Sequence, residues 1–146
     1  MEEAELDIDE LAKRYQQILQ DEGYACKNPT KDSEANTLDL VIKYEGLNLL
    51  IIFDYDDPSF VRIMLPNFYE VAEKDVGTAL GAINEASKTC KGAKLYLTQD
   101  LKNCLAVVEY LENGKSVNSK ELLRYVSMVI NVAKFYAQKM KEDKAD

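Results

Sequence analysis

The chain contains no histidine. That absence removes Ser-His-Asp and Cys-His catalysis, together with the commonest zinc and haem ligand sets. Cysteine is scarce: Cys26, Cys90 and Cys104 are odd in number, far apart and form no CxxC. They read as buried thiols, not as bridges or zinc ligands. No apolar run approaches the roughly 20 residues that cross a membrane. Positive charge is in deficit, with 18 Lys and Arg against 26 Asp and Glu and a formal net charge of -8. No basic stripe interrupts the acidity, so phosphate backbones are repelled and nucleic acid is not an expected partner. The opening Met1-Glu2-Glu3-Ala4-Glu5 is acidic, where a secretory signal needs a basic start and an apolar segment. A cytoplasmic location is the expectation. No internal repeat or linker is visible, and 146 residues suit a single domain spanning 1–146.

What is present is clearest between Thr37 and Leu65, where three strands follow one another. Leu38, Leu40, Ile42 and Tyr44 alternate with Thr37, Asp39, Val41 and Lys43, and Leu47, Leu49, Ile51 and Phe53 resume the period after Glu45-Gly46. A two-residue hairpin pairs Tyr44 with Leu47, Ile42 with Leu49, Leu40 with Ile51 and Leu38 with Phe53. Eight apolar side chains then share one face. The third strand has two registers. One sends Val61, Ile63 and Leu65 to that face, leaving Phe60, Arg62 and Met64 beside Leu50 and Ile52, and the other exchanges the sets. Either way the opposite face carries Val41, Leu50, Ile52 and further apolar groups. A water-facing antiparallel surface should be mostly polar, so a helix, a second subunit or a bound peptide is expected to cover it.

Around the trio, a first helix is predicted from about Asp9 to Glu22, with Leu11, Tyr15, Ile18 and Leu19 as its stripe and Gly23 as its cap. Tyr24–Lys27 reads as a short extended segment, and Asn28–Asn36, with Pro29, as a loop. A second helix is predicted between about Glu70 and Cys90, with Val76, Leu80 and Ile83 on one face. A second hairpin joins Ala93–Thr98 to Cys104–Leu111, and Asn113-Gly114 ends it. A third helix opens at Asn118 and runs to about Lys141. Its only coherent polar strip is Arg124, Ser127, Asn131, Lys134 and Gln138, so it is expected to be sandwiched. The order is α-βββ-α-ββ-α, which predicts an α+β fold: a five-stranded antiparallel sheet with three helices.

Gly77 and Gly81 lie one turn apart inside the second helix, each costing about 1 kcal/mol relative to alanine. They make a smooth face for close approach of another backbone, from the sheet of the same chain or from a second subunit. With the Met128/Phe135 flank of the third helix they are the candidates for a dimer interface.

The apolar strand ending in Asp54-Tyr55-Asp56-Asp57 resembles the first motif of haloacid-dehalogenase phosphatases, where paired aspartates and magnesium transfer phosphate. Pro58 stands where that motif needs Thr or Val, and the Glu45-Gly46 hairpin makes the strand antiparallel. Ser59 and Leu65 break the calcium-loop pattern. A solvated hairpin loop is the expectation, with no metal and no cofactor.

The segments Asp56-Asp57-Pro58-Ser59-Phe60-Val61-Arg62-Ile63 and Ala79-Leu80-Gly81-Ala82-Ile83-Asn84-Glu85-Ala86, followed by two strands and Ser119-Lys120-Glu121-Leu122-Leu123, carry a resemblance across nearly the whole chain. It resembles the YbjN-type family of bacterial sensory-transduction regulators, which is similar in fold to class I type III secretion chaperones. Ser87 departs from the family, which often has a second asparagine there. The resemblance implies a cytoplasmic homodimer, not an enzyme, that holds another polypeptide on apolar patches and strand edges, as a chaperone-like adaptor or regulator. The contact residues expected are Val41, Leu50, Ile52, Phe60 and Met64. The rival readings are a magnesium-dependent phosphate-transfer enzyme using Asp54, Asp56 and Asp57, and a structural subunit of a larger assembly.

Overall fold

The computed structural model describes residues 7–113 and 118–144. The acidic opening Met1–Glu5 and Gly114 lie outside the described residues.

Helix α1 (Ile8–Asp21) begins where Asp7 accepts a hydrogen bond from the Glu10 amide. Its apolar residues recur at helical spacing, and Ile8, Leu11, Ala12, Tyr15 and Leu19 are buried. The expected Ile18 is half-buried, because it sits at the edge of that stripe. Gly23 has φ +92, and the next amide, of Tyr24, returns to the Leu19 carbonyl at 2.9 Å. The left-handed turn is why glycine ends this helix.

β3 (Thr37–Tyr44) and β4 (Leu47–Asp54) form the expected hairpin in the expected register, Leu38 to Phe53 through Tyr44 to Leu47. Glu45 and Gly46 both have positive φ, as a two-residue turn of this kind needs. Leu38, Leu40, Ile42, Leu49, Ile51 and Phe53 are buried. The pair next to the turn is not: Tyr44 is half-buried and Leu47 exposed. β5 (Phe60–Glu70) buries Val61, Ile63 and Leu65, which selects the first of the two orientations.

Among the described residues the sheet has seven strands, not five. β1 (Ala25–Cys26) and β2 (Thr30–Asp32) each pair antiparallel with β3. β2 falls in the segment read as a loop. Its three residues are all exposed, so backbone pairing forms it and no apolar alternation announces it. β5 also runs past Leu65, the expected end of the trio, to Glu70, through Pro66 and a positive-φ Asn67. After a 3-10 turn (Glu73–Asp75), α2 (Val76–Thr89) therefore starts later than expected.

The buried face of α2 is Ala79, Ala82 and Ala86, which corrects the expected Val76, Leu80 and Ile83. Leu80 is 54% exposed, and Val76 and Ile83 are half-buried. Alanine lets a helix backbone approach its support closely, and the larger side chains are displaced to the flanks and the outer side.

β6 (Lys94–Leu97) pairs antiparallel with β7 (Asn103–Leu111). α3 (Ser119–Asp143) opens with the Glu121 amide donating to Asn118 Oδ1 at 2.9 Å. Its buried set includes Leu122, Val126, Val129, Ile130, Val132, Ala133, Tyr136 and Met140, whereas Arg124, Asn131, Lys134 and Gln138 are exposed.

Strand order is β1-β3-β4-β5-β7-β6, with β2 also on β3. The chain divides into two compact units, Met1–Ile63 with Glu109–Arg124 and Met64–Val108 with Tyr125–Asp146. In the first, α1 covers one face of the β3–β4 hairpin, with the Tyr15 and Phe53 rings edge to face at 5.1 Å. In the second, Tyr136 of α3 meets Phe68 and Tyr69 edge on, at 5.7 Å and 5.2 Å. Lys144 ion-pairs with Asp75 at 3.3 Å, tying the end of α3 to the start of α2.

Candidate functional site

The hairpin register determines what lies on the sheet face away from α1. Thr37 stands opposite Asp54, Asp39 opposite Ile52, Val41 opposite Leu50 and Lys43 opposite Asn48. Val41, Leu50 and Ile52 are half-buried, between the sealed core and open water. Phe60 and Arg62 alternate with buried Val61 and Ile63, so they point the same way. Phe60 is 41% exposed. Arg62 reaches Glu109 of β7 at 3.5 Å. Four of the five predicted contact residues, Val41, Leu50, Ile52 and Phe60, thus belong to one face of the first unit. Met64 is half-buried and belongs to the second unit.

Carboxylates occupy one end of this face. Asp39 is half-buried and accepts a hydrogen bond from Thr37 Oγ1 at 2.9 Å. Burial pushes its carboxyl above the usual carboxylate range; the Thr37 hydroxyl opposes that shift and the negative Asp32 adds to it. β2 places Thr30 opposite Asp39 and Asp32 opposite Thr37. Asp54 Oδ1 accepts from the Asp56 amide at 2.8 Å. The sequence reading named the apolar members and passed over Asp39, although the same two-residue alternation puts it beside Val41.

The Asp54–Asp57 segment is a hairpin loop held by its own side chains. Asn36 donates to Asp56 at 3.0 Å, and Ser59 donates to Asp57 at 3.1 Å. Tyr55 donates to Asp9 of α1 at 2.9 Å while Lys31 lies 5.0 Å above its ring. Such bonds are what Asx-type turns use. Among the described residues, no three His, Cys, Asp or Glu side chains converge as metal ligands would.

The four candidates for subunit packing lie in the second unit. Gly77 and Gly81 are exposed on α2, and a Cβ built at either meets no atom within 4 Å. Close packing of these glycines on the chain's own sheet is therefore not what places them there. Met128 is half-buried, and its Sδ would stand 2.9 Å from a Cβ at Gly92. Phe135 is half-buried.

A polar cluster that single-sequence reading missed sits under α1. Tyr15, fully buried, donates to Glu112, itself buried, and shares a 2.8 Å hydrogen bond with the Tyr110 hydroxyl. Burial raises the Tyr15 phenol far above its ordinary value. In the second unit, the Tyr136 hydroxyl is buried without a hydrogen-bond partner of ordinary geometry. The Cys104 thiol stands beside it, and burial pushes that thiol up to about 12. These groups are suited to holding structure, not to moving protons at neutral pH.

No protein-family model matches the chain, and no curated protein matches it. Among solved structures, an uncharacterized protein from Methanothermobacter thermautotrophicus is similar, with a TM-score of 0.68. The match covers 91% of this chain and 98% of that one at 14% identity. At such identity the likeness establishes a shared fold and nothing further.

Proposed function

We propose that the protein is a non-enzymatic adaptor that binds another polypeptide on the sheet face away from α1, in the manner of a chaperone or a regulator. One observation carries this reading. Val41, Leu50 and Ile52 stay half-buried and Phe60 41% exposed on the face that an ordinary one-sided sheet would line with polar residues. Alternating apolar side chains on such a face offer pockets for an extended or amphipathic segment. The test is co-purification from the native host with the wild-type chain and with a folded Leu50→Asp plus Ile52→Asp variant. A partner lost in the variant supports the reading. A partner held equally well by both removes the proposed surface, and no partner under any condition counts against an adaptor.

The same reading makes the protein a homodimer paired through α2. The open space over Gly77 and Gly81 supports this, since two glycines inside a helix weaken it with no return within the chain. Light scattering on Gly77→Leu and Gly81→Leu decides it. If both variants fold and keep the wild-type mass, α2 is not the seam.

A further inference from the structure

We infer that the sheet face away from α1 selects a cationic amphipathic segment, with apolar side chains over Val41, Leu50 and Ile52 and a Lys or Arg over Asp39 at the Thr37–Asp54 end. The inference rests on the adaptor reading and names the chemistry of the partner. From the turn outward, the face reads Lys43 with Asn48, Val41 with Leu50, Asp39 with Ile52, then Thr37 with Asp54. Its apolar centre is thus bounded at one end by carboxylates, to which β2 adds Asp32 opposite Thr37.

Three features favour a cation there. Asp39, Asp54 and Asp32 accept hydrogen bonds only from a hydroxyl or from backbone amides, and among the described residues none has a Lys or Arg in ion-pair reach. Of the basic residues on this face, Arg62 is already paired with Glu109, and Lys43 lies at the other end, beyond Val41. An apolar or acidic occupant would bury Asp39 further with neither a donor nor a positive charge to compensate it, which is costly. A basic one compensates it, and the overall charge of -8 draws such a segment in. Alternate residues of a strand lie roughly 6.6 Å apart, so a basic side chain over Asp39 and Ile52 and an apolar one over Val41 and Leu50 fall at alternate positions of an extended segment. A divalent cation is the poorer occupant, because no three of these groups converge among the described residues.

The test uses two fluorescent peptides of about ten residues, long enough at ~3.3 Å per residue to span the hairpin. One alternates Arg and Val with Ser. In the other, Gln replaces each Arg. Fluorescence anisotropy is read for the wild-type chain, for Asp39→Asn plus Asp54→Asn, and for Leu50→Thr plus Ile52→Thr, each checked by thermal melting. Asparagine retains the oxygen that Thr37 and the Asp56 amide bond. Asp32→Asn, at an exposed position, serves should the double variant fail to fold.

The expected result is that the Arg peptide binds about fivefold more tightly than the Gln peptide, in line with one or two partly exposed ion pairs. That preference should vanish in the Asp→Asn variants and shrink at high salt. Equal binding of the two peptides, or an unchanged preference in the Asn variants, overturns the charge selection and leaves the adaptor reading standing. If neither peptide binds, or the Thr variant binds both as well as wild type does, the face is not a docking surface and both readings fall.

Discussion

Two buried tyrosines differ in one respect, and that difference sets a prediction. Tyr15 and Tyr136 are both fully buried, and both rings make edge-to-face contacts, Tyr15 with Phe53 and Tyr136 with Phe68 and Tyr69. The Tyr15 hydroxyl donates to buried Glu112 and bonds Tyr110, whereas the Tyr136 hydroxyl lacks a partner of ordinary geometry. Replacement by phenylalanine keeps the ring and its packing and deletes only the hydroxyl. At Tyr15 this removes two bonds, one to a carboxyl group. A loss of about 1–3 kcal/mol follows from the usual worth of such bonds. At Tyr136 it removes a polar atom that folding strips of water and leaves beside the Cys104 thiol, a weak partner, so the change should be within about 0.5 kcal/mol of neutral or stabilising by about 1 kcal/mol.

Urea unfolding followed by circular dichroism measures both, provided the slope m is the same in each variant so that midpoints compare as stabilities. A Tyr15→Phe loss that disappears in a Glu112→Gln background would assign it to that pair. The reasoning is refuted if Tyr136→Phe costs as much as Tyr15→Phe. In that case the Cys104 thiol, or a buried water, bonds the Tyr136 hydroxyl after all.

The remaining expectations concern glycine, titration and thiols. Gly92→Ala should cost about 1–2 kcal/mol, because φ is +76 and the new Cβ would stand 2.9 Å from Met128 Sδ, while Gly77→Ala and Gly81→Ala should each add about 1 kcal/mol in the same urea assay when the chain is dilute enough to be monomeric, and should weaken the dimer proposed through α2. Because burial raises the Asp39 carboxyl, the folded state keeps that proton to higher pH than the unfolded state does; stability from this group is full below the unfolded pKa and is lost as pH rises through the folded one. Asp39→Asn should therefore raise the melting temperature at neutral pH, by an amount that shrinks on acidification. Burial pushes Cys26 up to about 11 and Cys104 up to about 12, from 9.0, so at neutral pH the Cys26 thiolate should be about a hundredfold scarcer than in the unfolded chain. Iodoacetamide labelling read by mass spectrometry should be slow at both until the chain is denatured, and native labelling faster at Cys104 than at Cys26 would contradict the burial.

The β3–β4 hairpin was legible because two independent signals agree, the two-residue turn at Glu45-Gly46 and the period-two alternation on either side. The face of α2 was not, because side-chain hydropathy favours Val76, Leu80 and Ile83 while the close approach of a helix to its support favours Ala79, Ala82 and Ala86. β1 and β2 were not, because strands of two and three residues joined to a neighbour by backbone bonds carry no periodic pattern. The Tyr15–Glu112 bond joins residues 97 apart in sequence, and nothing in a single chain pairs them. The candidate face sits between these cases. Its apolar members follow from alternation alone, but that Asp39 has no cation beside it is a fact of three-dimensional placement.

That placement bears on why the face exists. For folding alone, a sheet surface open to water is best lined with Thr, Lys, Arg or Glu in cross-strand pairs. Here Val41 faces Leu50, both half-buried, and Asp39 faces Ile52 with its charge partly stripped of water. Each departure is mildly unfavourable to the isolated chain, and the two kinds lie side by side on one hairpin. The core face of that hairpin follows the folding rules closely, burying six of its eight apolar side chains around α1 and leaving out only the pair beside the turn. Local departures from an otherwise consistent sequence are where function is to be sought. The two kinds also differ in what they require. Exposed apolar groups are relieved by any apolar cover, including a second copy of the chain. A desolvated Asp39 is relieved by a cover that brings a hydrogen-bond donor, and most by one that brings a positive charge. A second copy seated by a two-fold axis meets that need only where its Lys43, two steps along the same face, falls over Asp39, whereas a basic polypeptide brings its charge without that constraint on seating.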